Sequence, residues 1–141
     1  MKTMSAAILI DARPMDVWAV LTDLSRYSEW NPLFREASGE IAVGERIKLR
    51  SVHPASGRMM TVKPKIVTAE AGVELRWASS LPGIISGDHS FALTPAGGGT
   101  QVVQTESFRG LLVPLSGKTL ARAEASFAEL NEALKKRVEA S

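Results

Sequence analysis

The chain has 141 residues, of which 45% are apolar and 23% are charged, and its formal net charge is +2. This length and balance predict one globular domain over residues 1–141 and exclude a disordered, collagen-like or fibrous chain. The lack of cysteine excludes disulfides and thiolate chemistry and, with only two histidines, predicts no metal site.

The first third of the chain predicts a strand followed by two short helices. Ser5 to Ile10 is a β-prone run, and Pro14 is well placed as the first residue of a helix because its missing N–H would have no partner there. Apolar residues at helical spacing continue that helix to Leu24. Ser25 to Trp30 then predicts a second short helix that ends before Asn31-Pro32.

From Leu33 onward the apolar period changes to two, with turn residues at intervals of about ten, which is typical of consecutive antiparallel strands. Together with the first strand, the pattern predicts a seven-stranded sheet. The six further strands are Leu33–Ser38, Glu45–His53, Met59–Ala69, Val73–Ser80, Ser86–Thr94 and Thr100–Arg109.

The last part of the chain predicts one long helix, Ser116–Glu139, with an apolar stripe that includes Leu120 and Phe127. An antiparallel sheet must bury one face, and this helix is the one large apolar element available to cover it. Because one helix cannot fill a strongly curved sheet, we expect an interior pocket between the two. The same side chains would also suit a closed core, and the sequence leaves both interpretations open.

Motif residues along the whole chain resemble the START and birch-pollen-allergen superfamily, and most closely its bacterial polyketide cyclase/dehydrase-like branch. The residues that carry the resemblance are Val17-Trp18, Asp23, Tyr27, Trp30-Asn31-Pro32, Gly39, Gly44, Gly87, His89, Phe91, Pro95, Gly99-Thr100, Glu106, Phe108 and Gly110. The resemblance implies an α+β helix-grip fold, in which a curved antiparallel sheet surrounds a long C-terminal helix and an apolar cavity. Proteins of this kind include lipid carriers, plant hormone binders, aromatic cyclases and chaperone-assisting subunits.

Strand alternation predicts which side chains face the interior. A hairpin that pairs Leu93 with Val102 would place Phe91 opposite Gln104 and His89 opposite Glu106. An imidazole beside a carboxylate can orient a ligand or relay a proton, so this pair is the candidate catalytic pair, although a structural pair that satisfies itself is equally compatible with the pattern. Alternation also assigns Val73 and Ile66 to inner sets. The predicted ligand-contact residues are Met60, Val62, Leu75, Trp77, His89, Phe91, Gln104, Glu106, Phe108, Leu120 and Phe127.

Three functions remain open at this point: binding of a hydrophobic small molecule, a polyketide cyclase or dehydratase using His89 and Glu106, and an interaction module with a vestigial cavity. Two apolar loops, 81–85 and 111–115, favour a pocket entrance first and a homodimer contact second. The apolar run before Asp11 is too short for a signal peptide or a membrane span. Together with the lack of cysteine, this predicts a cytoplasmic protein with no stable membrane insertion. No nucleotide, metal or nucleic-acid motif is recognisable, so we expect no cofactor and no nucleic-acid partner.

Overall fold

A computed structural model describes residues 2–53, 56–81, 85–110 and 117–141. In chain order its elements are β1 (Lys2–Ile10), α1 (Pro14–Thr22), a 3₁₀ helix (Leu24–Glu29), β2 (Phe34–Ser38), β3 (Lys48–Val52), β4 (Met59–Val62), β5 (Lys65–Glu70), β6 (Glu74–Leu81), β7 (Ile85–Ala96), β8 (Gly99–Gly110) and α2 (Gly117–Glu139). The predicted α+β helix-grip class is confirmed.

The strands form two antiparallel sheets rather than one seven-stranded sheet. The first has the order β1-β8-β7-β6-β5, and the second has the order β2-β3-β4. The prediction of one continuous strand over Met59–Ala69 is wrong, because this segment forms two strands, β4 and β5, that are separated by Lys63-Pro64. Pro64 lacks the N–H that a continuous ladder would need, so the pairing partner changes at this residue.

The segment just before β3 joins the two sheets. The backbone N–H of Ile66 donates to the carbonyl of Glu45 at 2.8 Å, and the N–H of Ile47 donates to the carbonyl of Pro64 at 3.0 Å. The predicted strand Glu45–His53 therefore consists of two parts with different pairing partners. Its beginning pairs with β5, whereas Leu49 and the residues after it pair with β4.

The long helix α2 closes the concave side of the five-stranded sheet. Its buried stripe consists of Ala123, Phe127, Leu130, Leu134 and Val138. Its last turns are anchored to the end of β1, where Lys135 Nζ donates to the Leu9 carbonyl at 2.9 Å and the Asp11 N–H donates to a Glu139 carboxylate oxygen at 2.9 Å. This backbone N–H, followed by Lys135, lowers the pKa of Glu139.

Of the parts of the chain that the structure describes, no helix is both long enough and apolar enough to cross a membrane. The apolar loop 111–115 and residues 82–84 of the other predicted loop lie outside the described residues. Their expected role as an entrance or a dimer contact stays a prediction.

Tyr27 completes the C-terminal end of α1. Its side chain is fully buried, its ring packs edge-on against Trp30, and its hydroxyl donates to the Leu21 carbonyl, which lies in the last turn of α1. Carbonyls in the last turn of a helix lack an intrahelical partner, so the Tyr27 hydroxyl satisfies an otherwise orphaned acceptor. Burial raises the pKa of Tyr27 and keeps this donor protonated.

We expect Tyr27→Phe to lower the free energy of unfolding by about 1–3 kcal/mol, because it leaves the Leu21 carbonyl buried without a partner. Urea denaturation measures the loss. The folded-state pKa of Tyr27 is raised, so the Tyr27 hydroxyl contributes fully to the free energy of unfolding below the pKa of an unfolded tyrosine, about 10. This contribution is lost as the pH rises further. The difference between the wild type and the phenylalanine variant should therefore shrink in alkaline solution. Equal stability of the two proteins at neutral pH would contradict this role of Tyr27.

Candidate functional site

A cavity of about 670 Å³ lies between the concave faces of the two sheets and α2. This volume is within the range of small-molecule sites, about 300–1,000 Å³. Both sheets, the segment before β2 and the first half of α2 contribute to its wall. The lining residues are Met4, Leu33, Phe34, Arg46, Leu49, Ser51, Val52, His53, Met60, Thr61, Val62, Lys63, Pro64, Trp77, Ser79, Gly87, His89, Glu106, Phe108, Leu120, Ala123, Ser126 and Phe127.

The cavity has a solvent-exposed end and a buried end. Arg46, Met60, Thr61 and Lys63 are lining residues that are exposed to solvent, so the cavity opens beside β4. At the opposite end the wall is formed by side chains that are almost completely buried, among them His89. We call these two regions the mouth (Arg46, Met60, Thr61, Lys63) and the inner end (Trp77, His89, Glu106, Phe127).

The antiparallel register of β6, β7 and β8 places the inner-end residues side by side. Trp77 is opposite His89, and His89 is opposite Glu106, so the predicted pairing of His89 with Glu106 is confirmed. The next row toward the loops contains Ser79, Gly87 and Phe108, and it also lines the cavity. These two rows form the floor of the cavity.

Aromatic rings surround the His89 imidazole. The Trp77 ring is stacked on it, with centroids 5.5 Å apart and an interplanar angle of 17°. The rings of Phe34, Phe91 and Phe127 lie at centroid distances of 5.5, 5.0 and 5.3 Å from it. Because this packing fixes the ring plane, both imidazole nitrogens have defined partners.

The hydrogen bonds of Gln104 determine whether one of these nitrogens, Nε2, carries a proton. Its Nε2 donates to the Phe127 carbonyl at 3.0 Å and to Asn131 Oδ1 at 2.9 Å, while its Oε1 lies 2.9 Å from His89 Nε2. A backbone carbonyl accepts hydrogen bonds and cannot donate them, so the amide nitrogen of Gln104 must face Phe127. The oxygen of Gln104 therefore faces His89, and His89 Nε2 must carry a proton.

The other nitrogen, Nδ1, forms a close ion-pair contact with Glu106 Oε2. Two facing acceptors would repel each other, so this contact requires one proton between the two groups. That proton makes either an imidazolium with a carboxylate or a neutral imidazole with a carboxylic acid. The pair therefore contains an exchangeable proton inside a largely apolar cavity.

The second carboxylate oxygen of Glu106 has space because residue 87 is glycine. A Cβ at this position would lie 3.2 Å from Glu106 Oε1 and 3.9 Å from the Phe108 ring. Gly87 and Glu106 both line the cavity. A ligand polar group at the inner end can therefore approach Oε1, which the contact with His89 leaves unused.

Of the residues predicted to contact a ligand, Met60, Val62, Trp77, His89, Glu106, Phe108, Leu120 and Phe127 line the cavity. Leu75, Phe91 and Gln104 do not. They form the neighbouring row of the sheet, which the residues around Phe127 and Asn131 cover directly, and each is at most 1% exposed. The structure thus brings eight of the candidates to one cavity and places three in the neighbouring core.

Two further inner-set predictions have different outcomes. Ile66 is buried as expected, but Val73 is 46% exposed and the prediction for it is wrong. Val73 belongs to the turn before β6, where its N–H donates to the Glu70 carbonyl, so strand alternation does not apply to it. Sequence reasoning also missed Arg46, Lys63 and Gly87, because a residue beside a strand break or without a side chain gives no alternation signal.

Within residues 2–53, 56–81, 85–110 and 117–141, no group of three or more histidine, aspartate or glutamate side chains is placed to hold a metal ion. Lining side chains that can make directed contacts in the cavity include hydroxyls, His53, Glu106 and the basic groups at the mouth. These groups suit hydrogen bonding, ion pairing and proton transfer.

A curved sheet closed by a C-terminal helix over an interior cavity defines a helix-grip protein. The family model described as polyketide cyclase/dehydrase and lipid transport matches residues 1–139, and the chain belongs to this family. The resemblance to the START and birch-pollen-allergen superfamily is thereby confirmed. No curated protein matches the sequence.

Solved structures with the same fold extend over nearly the whole chain. A START superfamily protein from Mycobacterium smegmatis has a TM-score of 0.78 at 16% identity, with 97% of each chain covered. A protein from Thermus thermophilus has a TM-score of 0.77 at 20% identity, covering 99% of this chain and 98% of its own. Ara h 8.0201 has a TM-score of 0.75 at 15% identity, with 99% of each chain covered. At these identities the likeness concerns the fold.

We expect NMR of the ring nitrogens to find His89 Nε2 protonated in the wild type at neutral pH, because Gln104 Oε1 accepts from it. Gln104→Met removes that acceptor while keeping a similar volume, so the Nε2 signal should shift and its proton should exchange faster. Thr105→Val, at a neighbouring position of β8 with opposite parity, is the control. A wild-type Nε2 without a proton would contradict the assignment even if the methionine variant does not fold.

Proposed function

We propose that the protein binds a hydrophobic small molecule, such as a lipid, a polyketide or another aromatic compound, in the cavity between the sheets and α2. The observation that carries this proposal is the cavity itself, a space of about 670 Å³ with aromatic and aliphatic walls and a few convergent polar groups. Membership of a family described by cyclases, dehydrases and lipid transport supports the same conclusion.

Burial of apolar surface supplies the affinity. Transfer of a ligand from water contributes about 25 cal/mol for each Å² of apolar surface that is buried. Trp77 and Phe127 offer flat ring surfaces, and Met60 offers an adaptable thioether, so the wall can accommodate rings as well as flexible chains. Hydroxyls such as those of Ser51 and Ser126, together with Glu106, provide directional contacts that fix the orientation of the ligand.

The neutral fluorescent dye N-phenylnaphthylamine tests the proposal. We expect saturable binding of one dye per chain under native conditions, with a change in Trp77 fluorescence. Ala123→Phe should weaken binding by about tenfold or more, because Ala123 is buried on the cavity wall and the added ring would occupy ligand space. The matched control is Ala125→Phe, which adds the same ring to an exposed position of α2.

The outcome that would overturn the proposal is dye binding that appears only under partly denaturing conditions, or equal binding by the two phenylalanine variants. Thermal unfolding of both variants accompanies the titration. Overpacking of a filled core costs about 1–3 kcal/mol, whereas a ring that enters an open cavity should cost less.

A second candidate function is acid–base catalysis on the bound molecule, and it is favoured by the accessible Oε1 of Glu106 beside the proton shared with His89. In a dehydration, the Glu106 carboxylate would take a proton from the carbon next to a ligand carbonyl. The carbon–oxygen bond to a β-hydroxyl then breaks, a carbon–carbon double bond forms, and the proton leaves with the hydroxyl as water. His89 would stabilise the changing charge on Glu106 without contacting the ligand.

We expect Glu106→Gln to reduce such a reaction by about 10²-fold or more, the usual scale of acid–base assistance. A β-hydroxy ketone that dehydrates to a conjugated enone allows the reaction to be followed by absorbance. Dye binding by the same variant should remain, since glutamine keeps the shape of the side chain. Turnover that is absent in the wild type, or unchanged in the variant, would leave ligand binding as the function of the cavity. A cytoplasmic location, a homodimer and the absence of a nucleic-acid partner stay predictions from the sequence.

A further inference from the structure

The charges on the cavity wall are distributed unevenly. Arg46 and Lys63, both exposed, lie at the mouth, whereas the carboxylate among the described lining residues, Glu106, lies at the inner end in contact with His89. Among the residues that the structure describes, neither Arg46 nor Lys63 has an acidic side chain within ion-pair distance. The mouth therefore has two positive charges that no acidic side chain in the described part of the chain neutralises.

The backbone holds these two residues together. Pro64 ends the ladder of β4, so Lys63 lies at the break between the two sheets, and Arg46 lies opposite Lys65 in the bridge that joins them. The Arg46 guanidinium donates one hydrogen bond from Nη1 to the Lys63 carbonyl at 2.9 Å. This bond uses one of five N–H donors, so the guanidinium is located beside the mouth and can still bind an anion through the others.

We infer that the ligand carries an acidic group, a carboxylate, a phosphate or a sulfonate, which Arg46 and Lys63 bind at the mouth while the apolar body occupies the cavity. The inference rests on the proposed function and assigns an orientation within it. An anion at the inner end would meet Glu106 Oε1, which is a hydrogen-bond acceptor whether the shared proton lies on Glu106 or on His89. An anion at the mouth stays partly hydrated and lies opposite two cations. The inner end then receives the apolar terminus of the ligand, or a hydroxyl that donates to Glu106.

A matched pair of dyes tests this orientation. Anilinonaphthalene sulfonate and N-phenylnaphthylamine share the same two aromatic units and differ by the sulfonate. We expect the sulfonate dye to bind the wild type more tightly. Arg46→Gln and Lys63→Gln should each weaken its binding about threefold, and the double variant about tenfold, because an exposed charge pair contributes only modestly. The neutral dye should bind all of these proteins equally.

Two further variants locate the anion. A second groove of about 570 Å³, the outer groove, includes Lys65, Arg76 and Arg109. It shares Arg46 and the floor residues Ser79, Gly87 and Phe108 with the cavity. Lys65→Gln removes a charge from that outer groove alone, and Lys48→Gln removes an exposed charge from β3 that lines neither space. Both variants should bind the sulfonate dye as the wild type does. Arg46→Lys, which keeps the charge, should restore most of the affinity lost in Arg46→Gln.

The outcomes separate the inference from the proposed function. If neither dye binds the native protein, the proposed function fails. If both dyes bind equally well to the wild type and to the Arg46 and Lys63 variants, the cavity binds ligands, but the inference that the mouth binds an acidic group of the ligand is wrong. A loss in Lys65→Gln as large as that in Arg46→Gln would place the anion in the outer groove and would also overturn the inference.

Competition with aliphatic ligands identifies the acidic group. Dodecanoate and dodecyl phosphate should each displace the neutral dye at lower concentration than dodecanol. Whichever of the two displaces the dye at the lower concentration shows whether the mouth prefers a carboxylate or a phosphate. Added salt should reduce this advantage, because exposed charges are screened. Displacement by dodecanol at the same concentration as both acids, in low salt, would exclude an anion-binding mouth.

Discussion

The buried amide of Gln104 connects the sheet to the long helix, and the geometry of the inner end depends on it. Its side chain is completely buried on β8, its nitrogen reaches the Phe127 carbonyl of α2, and its oxygen reaches His89. A buried amide left without partners would cost several kcal/mol, so these contacts restrict both the position of the helix and the plane of the imidazole. The inner end of the cavity begins one residue row beyond this amide.

The boundary between core and cavity follows the rows of the sheet. Leu75, Phe91 and Gln104 lie in one row, directly under α2, and close packing there leaves no space. In the row of Ser79, Gly87 and Phe108 two of the three positions have a small side chain or none, and Ala123 of the helix stripe also lines the cavity. The space therefore follows from side-chain volume at matched positions of the sheet and the helix, and not from curvature alone.

The sequence predicts most of the fold because the local signals agree with the tertiary pairing. The hairpin of β7 and β8 follows from the alternation in β7 and a glycine-rich turn, and Phe108 decides which set of β8 faces inward. The partners His89 and Glu106 are therefore found correctly. The division between β4 and β5 at Pro64 is not predicted, because the apolar alternation continues on both sides of the proline and so indicates one strand. The mouth is missed because alternation identifies apolar faces, whereas Arg46 and Lys63 reach the cavity from irregular backbone at the junction of two sheets.

The two polar regions of the cavity have different physical characters, and this difference bears on what the cavity is for. A neutral histidine that served only to fill the core would donate from Nε2 to Gln104 and would be satisfied at Nδ1 by any small neutral donor. Instead, Nδ1 contacts an ionisable side chain that itself lines the cavity, and the neighbouring Gly87 has no Cβ to crowd its second oxygen. Packing alone gives no reason to place a carboxylate on an apolar wall, since an isosteric apolar residue would avoid its desolvation. Under the proposed function, a ligand hydroxyl or an acidic carbon–hydrogen bond provides that reason, because it would be a partner for Oε1, which has no hydrogen bond among the described residues.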